Sequence, residues 1–222
     1  MRCIGQEGVF MTGNIEVFTQ NSIRISCGAG KVYIDPFKMR EEPHDADIIL
    51  ITHEHYDHFS PEDIGKVSKT GTVIVIPEKM LSKAESALDS SYRFITVKQN
   101  DRKTVSGLEI ETIPAYNISK KFHPKAAEWV GYILNADGKR IYIAGDTDAT
   151  AEARGVKCDT ALVPVGGTYT MDPEEAAGLV NEIKPETVIP VHYGAVVGKP
   201  EDGEIFKNNV SPSIKVELKI QY

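Results

Sequence analysis

The sequence predicts an α/β fold with some α+β character, because a strand-rich beginning gives way to alternating strands and helices. Alternating β-branched and aromatic residues predict strands at residues 15–20, 22–27 and 31–35. The apolar run at residues 47–52 is continuous, as in strands that are covered on both faces. Two helix starts follow, since Ser60-Pro61 and Asp172-Pro173 each supply an N-cap residue and a first helical residue.

The same patterns extend along the chain. Further strands are predicted at residues 72–76, 92–97, 108–114, 128–135, 139–144, 160–165, 187–191 and 214–220. Helices are predicted after Ser60, at residues 78–88, from Asp172 to about residue 183, and around residues 204–208. The turn Ala136-Asp137-Gly138 favours a tight hairpin. No linker rich in proline, glycine or serine interrupts the pattern, so we predict a single domain over residues 1–222.

The charge balance argues against a nucleic-acid partner. The 222 residues include 32 acidic and 25 basic side chains, with a formal net charge of -7, whereas a phosphate backbone attracts positive surfaces. Lys120, Lys121 and Lys125 form a local basic group that could bind one small anionic substrate, although a solvated loop is the more common explanation of such a group. We therefore expect a small-molecule substrate as the partner. Whether the chain forms a homo-oligomer stays open.

Cysteine usage and hydropathy indicate the compartment. Cys3, Cys27 and Cys158 are odd in number and widely spaced, which fits a reducing environment and no disulfide framework. No stretch approaches the roughly 18 apolar residues of a membrane span. The expectation is a soluble cytoplasmic protein with no membrane partner.

A dense group of polar side chains follows the run at residues 47–52. Residues His53–His58 have the sequence HEHYDH, which places three imidazoles and two carboxylates within six residues. Polar groups at a buried strand end are costly unless something satisfies them, and neutral imidazole and carboxylate suit zinc, manganese, iron and nickel. His53 and His55 can point the same way, while Asp57 and His58 face a second point nearby. The pattern predicts one or two adjacent metal ions, and a solvated histidine-rich loop is the alternative.

Two distant residues also follow predicted strands. Asp146 comes after the strand at residues 139–144 and directly after Gly145, which permits close approach of the backbone. His192 follows the strand at residues 187–191. Because sites collect at the carboxyl ends of strands in helix-covered sheets, both residues are expected to converge with the His53–His58 group. Asp146 would then bridge two ions.

Asp35 is a candidate for orienting a ligating histidine, because it ends the strand at residues 31–35. A turn-initiating role before Pro36 explains it equally well. His44 lies in a charged connection and is left out of the predicted site.

The order and spacing of these residues resemble the metallo-β-lactamase-fold hydrolases. The likeness rests on His53–His58, Gly145-Asp146-Thr147 and His192, and it spans almost the whole chain. The strand end Ile34-Asp35-Pro36 is also similar to that superfamily. The compact size and Pro114-Ala115-Tyr116-Asn117 most resemble the group related to ascorbate-6-phosphate lactonase, metal-dependent hydrolases of unassigned substrate. The resemblance implies a four-layer αβ/βα sandwich with metal ions in a cleft at one edge of the two sheets.

The resemblance also implies a ligand set. Asp146 would lie between two ions whose other ligands are His53 and His55 on one, and Asp57, His58 and His192 on the other. Many members have a further metal-binding histidine near the position of Tyr116, which this sequence lacks. One possibility is that His123, seven residues further along the chain, supplies the missing ligand. The other is that water or Tyr116 completes a weaker site, in which case His123 contacts the substrate or has a structural role. The expected cofactor is one or two divalent ions per chain, with zinc ahead of manganese, iron and nickel.

The expected activity is hydrolysis of a small molecule. A divalent ion lowers the pKa of bound water from about 15.7 towards about 7, so a metal-bound hydroxide would attack an ester, lactone, amide or phosphodiester. Asp57 and Asp146 would orient the attacking water, and the candidates for oxyanion stabilisation or leaving-group protonation are Tyr116, Asn117, His123 and Tyr193. Two alternatives stay open: an iron-dependent redox enzyme of the same fold, and a degenerate metal-binding protein without turnover.

Overall fold

Two β-sheets organise the protein, which is represented by a computed structural model describing residues 12–220. The strands of the first sheet, in spatial order, are β1 (Ile15–Thr19), β2 (Ser22–Cys27), β3 (Gly30–Ile34), β4 (Ala46–Leu50), β5 (Ser68–Pro77) and β6 (Arg93–Val97). Those of the second sheet are β7 (Arg102–Val105), β8 (Leu108–Pro114), β9 (Val130–Ala136), β10 (Lys139–Ile143), β11 (Thr160–Pro164), β12 (Thr187–Val191) and β13 (Lys215–Val216). The α-helices are α1 (Pro61–Val67), α2 (Leu81–Ala87), α3 (Ala151–Arg154), α4 (Pro173–Ile183) and α5 (Asp202–Asn209).

Each sheet combines an antiparallel part with a parallel part. Strands β1 to β3 pair antiparallel and β3 to β6 pair parallel. In the second sheet β7 to β10 are antiparallel, and β10 to β13 are parallel. Parallel neighbours need crossover connections, which here carry the helices. The carboxyl ends of the parallel strands in one sheet therefore lie at one edge, where side chains of the following loops can meet.

Three apolar clusters separate four layers. The first lies between the sheets and includes residues of both, such as Ile25, Leu50 and Val130. The second packs α4 and α5 on the outer face of the second sheet, and the third packs α1 and α2 on the outer face of the first. The predicted αβ/βα sandwich is confirmed. Burial on both faces also explains the continuous apolar runs of the central strands.

The two strongest helix starts lie where the sequence predicts them. The Ser60 hydroxyl accepts a hydrogen bond from the Asp63 amide (3.3 Å), and Pro61 is the first helical residue of α1. At α4 the Asp172 carboxylate accepts from the Glu175 amide (2.8 Å), while the Glu175 carboxylate accepts from the Asp172 amide (3.1 Å). This reciprocal pair satisfies two amides that the helix itself leaves unpaired.

Two edge strands and one helix differ from the prediction. β7 was not predicted, since three of its four residues are exposed and its composition is polar. The strand predicted at residues 214–220 is wrong in length: only Lys215 and Val216 form a ladder, although the Glu217 amide still donates to Val188 O (2.9 Å). The four-residue α3 is too short for a periodic signal.

Two findings concern membrane-spanning helices and thiols. Within residues 12–220, none of the helices has the length and apolar character needed to cross a membrane. Cys27 and Cys158 are free thiols, whereas Cys3 lies outside the described residues. The cytoplasmic location stays a prediction.

Substituting Gly131 in β9 should destabilise the protein. A Cβ there would meet the carbonyl oxygens of Ala144 (2.5 Å) and Ile143 (2.7 Å), just before the site residue Asp146. We expect Gly131→Ala to cost about 1–3 kcal/mol in urea unfolding, because the backbone must move. The matched control is Gly178→Ala on the exposed face of α4, where a Cβ meets nothing within 4 Å. Because alanine has the higher helix propensity, this change should raise the free energy of unfolding by about 0.5–1 kcal/mol. Equal effects of both changes would contradict this account.

Candidate metal centre

The polar residues that follow several strands meet at one place. The His53–His58 loop follows β4 of the first sheet, while Asp146 and His192 follow β10 and β12 of the second. His123, in the loop after β8, joins them. Most of these side chains are buried, with 1% exposure at His53, His123 and His192 and 4% at Asp146, whereas His55 is half-buried. The cluster thus lies where the two sheets meet.

One group of ligand atoms consists of His53, His55 and His123, whose nitrogens all lie within 4.8 Å of one another. His53 Nε2 is 3.0 Å from His55 Nδ1. Three nitrogens at tetrahedral zinc would be about 3.3 Å apart. The group therefore has the composition and approximate size of one metal site. Trp129 packs against all three imidazoles, with ring centroids 4.9 to 5.6 Å away, and forms its wall.

The second group consists of Asp57, His58 and His192, again within 4.8 Å. His192 Nε2 lies 3.3 Å from Asp57 Oδ2 and 3.2 Å from His58 Nε2. Two imidazole nitrogens and a carboxylate oxygen are a common ligand set for zinc and other first-row ions.

Asp146 lies between the two groups. Its Oδ2 is 3.2 Å from His123 Nε2 and 3.3 Å from His192 Nε2, and its Oδ1 is 3.4 Å from His58 Nε2. His53 Nε2 is 3.9 Å from Oδ2. One carboxylate thus contacts histidines of both groups, which is the geometry that a bridging ligand requires.

Hydrogen bonds from the outer ring nitrogens set the tautomers of three histidines. His58 Nδ1 donates to Asp35 Oδ2 (2.7 Å), and His123 Nδ1 lies near two acceptors, Asn117 Oδ1 (3.1 Å) and Tyr169 O (3.2 Å). His53 Nδ1 donates to Thr52 Oγ1 (3.0 Å), whose own proton goes to Asp35 Oδ2 (2.6 Å). In the neutral form of each ring the inner Nε2 therefore carries the lone pair, as a metal ligand requires.

Unpaired buried atoms show that the cluster fits a cation. His123 Nε2 and Asp146 Oδ1 have no hydrogen-bond partner among the described residues, although both are buried. His123 Nε2 is 3.2 Å from Asp146 Oδ2 without a well-directed hydrogen bond. Lone pairs that face each other in a buried site are costly unless a cation lies between them. His192 Nδ1, the outer nitrogen of that ring, is also unpaired, and nothing in the structure explains it.

Comparison with known proteins identifies the family. A family profile described as a beta-lactamase superfamily domain matches residues 14–192. The chain belongs to this β-lactamase superfamily. All residues of the cluster lie within the matched range, including His192 at its end.

Relatives of this superfamily protein are metal-dependent hydrolases by name. A UPF0173 metal-dependent hydrolase of Pyrococcus furiosus is 36% identical over 207 residues, covering 86% of this chain and 89% of the relative. Its counterpart in Thermococcus onnurineus is 33% identical, covering 85% and 88%. The crystal structure of a protein assigned as a metal-dependent hydrolase from Parabacteroides distasonis superimposes with a TM-score of 0.79 at 32% identity, covering 93% of each chain. The lactonase-like subgroup stays a prediction.

The electrostatics of the superfamily site favour metal-binding protonation states. Burial, helped by the charge of His58, lowers the pKa of His53 well below its usual value. Burial opposes ionisation of Asp146, but His192 and His58 outweigh it and hold the pKa of Asp146 well below the usual value. His58 is the exception: burial is outweighed by Asp146 and Asp35, which raise its pKa. A cation at this position would have to displace the His58 proton.

Three predicted catalytic side chains turn to other partners. The Tyr116 hydroxyl donates to Glu152 Oε2 (2.8 Å) and is 3.2 Å from Lys125 Nζ, and no described contact joins that hydroxyl to the cluster. The Asn117 Oδ1 atom accepts from the His123 amide and lies beside His123 Nδ1, the ring nitrogen that faces away from the cluster. Tyr193 packs in the apolar cluster beneath α5. The geometry favours His123 over Tyr116 as the third ligand of the first group, while the catalytic roles stay predictions.

The basic group of the sequence is largely neutralised. Lys120 Nζ lies 3.2 Å from Asp148 Oδ1 and donates to Thr170 O (2.8 Å). Lys125 pairs with Glu152 (3.0 Å). Of the three lysines, only Lys121 has no ion pair among the described residues. A solvated, paired loop therefore explains this group better than a site for an anion.

Sequence reasoning missed the β1–β2 turn. Gln20 and Asn21 resemble ordinary turn residues, yet they are 0% and 1% exposed. Gln20 Nε2 lies 3.5 Å from Asp57 Oδ2, and Gln20 O accepts from the His192 amide (2.9 Å). Asn21 Nδ2 donates to Asp35 Oδ2 (2.7 Å). Their role depends on a distant loop, so no local signal marks it.

Shortening Gln20 should weaken the second group of ligands selectively. Gln20→Asn keeps an amide and tolerates the positive φ of 47° at this position, but it withdraws the amide from Asp57. We expect about a 10- to 100-fold loss of affinity for one metal ion, measured by competition with a chromogenic chelator. The first group, around His53, serves as the internal control. Equal weakening of both ions would show a general loss of structure instead.

Proposed function

We propose that this protein is a metal-dependent hydrolase that activates water to cleave an ester, lactone or phosphodiester of a small molecule. The observation that carries the proposal is the pair of largely buried ligand groups joined through Asp146. The names of its relatives agree with this class of chemistry. Zinc is the first ion to test, because imidazole and carboxylate ligands in sets of this size suit it.

The chain's own residues divide into holding and orienting roles. Two divalent ions would polarise the substrate oxygen as Lewis acids and would lower the pKa of bound water to about 7. The first would be held by His53, His55 and His123, the second by Asp57, His58 and His192, with Asp146 shared by both. Neighbouring histidines hold the pKa of Asp57 below its usual value despite burial. Asp57 would therefore accept a hydrogen bond from the attacking water and orient it, rather than act as a strong base.

The test begins with metal content. Protein purified without chelator is measured by elemental mass spectrometry, beside His53→Ala and His192→Ala. We expect near two zinc ions per chain, falling in both variants, and metal-dependent turnover in a screen of esters, lactones and phosphodiesters. Iron with redox turnover would favour the oxidative alternative. Metal binding without turnover would favour the degenerate-site alternative. Asp57→Asn would then lower metal binding or stability, but there would be no activity for it to abolish.

Chelation should lower thermal and urea stability. Several buried lone pairs face each other in the cluster, so a cation that binds only the folded state stabilises it. At an ion concentration about 1,000-fold above the dissociation constant, we expect a gain of about 4 kcal/mol per ion. The measurement is urea unfolding with chelator and with added zinc. No difference between the two conditions would contradict a cation at this cluster.

A further inference from the structure

Exposed apolar side chains concentrate beside the metal centre. Five large apolar residues are exposed within residues 12–220, and three of them are Tyr56 (66%), Ile118 (67%) and Phe122 (47%). Tyr56 lies in the chain between His55 and Asp57, and Phe122 directly precedes His123. Ile118 belongs to the same loop as Phe122. Single exposed apolar residues are common, but a group around a buried polar site indicates a binding surface.

The loop that presents Ile118 and Phe122 is closed at its base. The Asn117 amide donates to His123 O (2.7 Å), and the His123 amide donates back to Asn117 Oδ1 (3.0 Å). The ends of the 118–122 segment are thereby tied beside the ligand nitrogen of His123. The loop cannot shift without moving that imidazole.

A buried carboxylate fixes the backbone of the loop. Asp148 is 7% exposed and accepts from the Ile118 amide (2.7 Å), from Asn117 Nδ2 (3.0 Å) and from Lys120 Nζ (3.2 Å). Three donors on one carboxylate fix the backbone that carries Ile118. The apolar side chains are thus held towards solvent by polar anchors, at a cost that a bound apolar group would recover.

Tyr56, Ile118 and Phe122 form an apolar rim beside the metal centre, with one unpaired charge next to it in the described part of the chain. Phe122 packs edge-on against Tyr169 at 4.7 Å, and Tyr56 packs edge-on against Phe37 at 5.9 Å. Of the nearby lysines, Lys120 and Lys125 are paired with carboxylates, whereas Lys121, which precedes Phe122, has no ion pair among the described residues. An anionic substituent would therefore find one unpaired lysine here, whereas an alkyl or aryl group would cover the exposed carbon of three side chains.

We propose that Tyr56, Ile118 and Phe122 bind an alkyl or aryl group next to the hydrolysed bond, as carried by an apolar acyl ester or lactone. This inference rests on the proposed function, and it narrows the substrate class from esters, lactones and phosphodiesters to apolar acyl esters and lactones.

The test uses a series of straight-chain carboxylates as probes: acetate, butyrate, hexanoate and octanoate. Their binding to the metal-loaded protein is measured by calorimetry, and hydrolysis of the corresponding aryl esters is measured as kcat/KM. We expect affinity and kcat/KM to rise about two- to fourfold per methylene. In Ile118→Ala and Phe122→Ala this dependence on chain length should flatten. Ile205→Ala, at an exposed apolar residue of α5 that is not one of the three rim residues, is the matched control and should keep the dependence on chain length.

The outcomes separate this inference from the proposed function. Chain-length-dependent binding without turnover of any ester, lactone or phosphodiester would sustain the apolar rim and reject the hydrolase. Turnover or binding that does not depend on chain length, or no carboxylate binding at all, would overturn the rim. A dimer in gel filtration that Phe122→Ala dissociates would assign these side chains to a contact between two copies and overturn it as well.

Discussion

Replacing Asp35 with alanine is expected to lower the free energy of unfolding by about 3–5 kcal/mol. The carboxylate is fully buried and accepts four hydrogen bonds, from Thr52 N (2.8 Å), Thr52 Oγ1 (2.6 Å), Asn21 Nδ2 (2.7 Å) and His58 Nδ1 (2.7 Å). Alanine leaves these donors unpaired away from water, and it also disfavours the φ of 45° at this position. The measurement is urea unfolding, with and without chelator.

Asp35→Asn is the matched control. Asparagine has nearly the same shape and tolerates a positive φ, so the backbone should be kept. One oxygen can still accept from Thr52 N, but an amide group replaces the oxygen that Thr52 Oγ1, Asn21 and His58 donate to. We expect an intermediate loss of stability and about a 10- to 100-fold loss of metal affinity. Wild-type affinity in this variant would show that Asp35 does not orient His58.

Replacing His123 with alanine should remove one metal ion from the protein. His123 Nε2 is buried and unpaired and lies 3.2 Å from Asp146 Oδ2, while its Nδ1 is held by Asn117 and Tyr169. Loss of a metal ligand should lower metal affinity by more than the roughly 10- to 100-fold that follows from losing a residue that only hydrogen-bonds a ligand. Elemental mass spectrometry should therefore report about one fewer ion per chain, with the group around His192 still loaded.

Tyr116→Phe distinguishes the two candidates for the third ligand. Its hydroxyl donates to Glu152 and accepts from Lys125, so we expect this variant to keep full metal content and to lose only these two hydrogen bonds. Metal loss in Tyr116→Phe together with full occupancy in His123→Ala would reverse the assignment. It would also show that the first site is completed from the position where many superfamily members have histidine.

Local chemistry made much of this protein predictable. Strand positions, the N-caps at Ser60 and Asp172, and the density of ligands in His53–His58 depend on neighbours in the chain. Asp35 was named as a candidate to orient a histidine, and the structure shows its bond to His58. The short edges β7 and β13 were missed or overextended, since edge strands carry a weak apolar signal.

The sequence by itself determined which groups are available for a metal site and on which strand ends they lie. Only the tertiary structure decided how they combine: it brings His123 to His53, buries Gln20 beneath Asp57, and turns the Tyr116 hydroxyl to Glu152. The physical reason is that these contacts join loops of two different sheets. Their distances depend on how the sheets pack, and residue spacing along the chain carries no information about that packing.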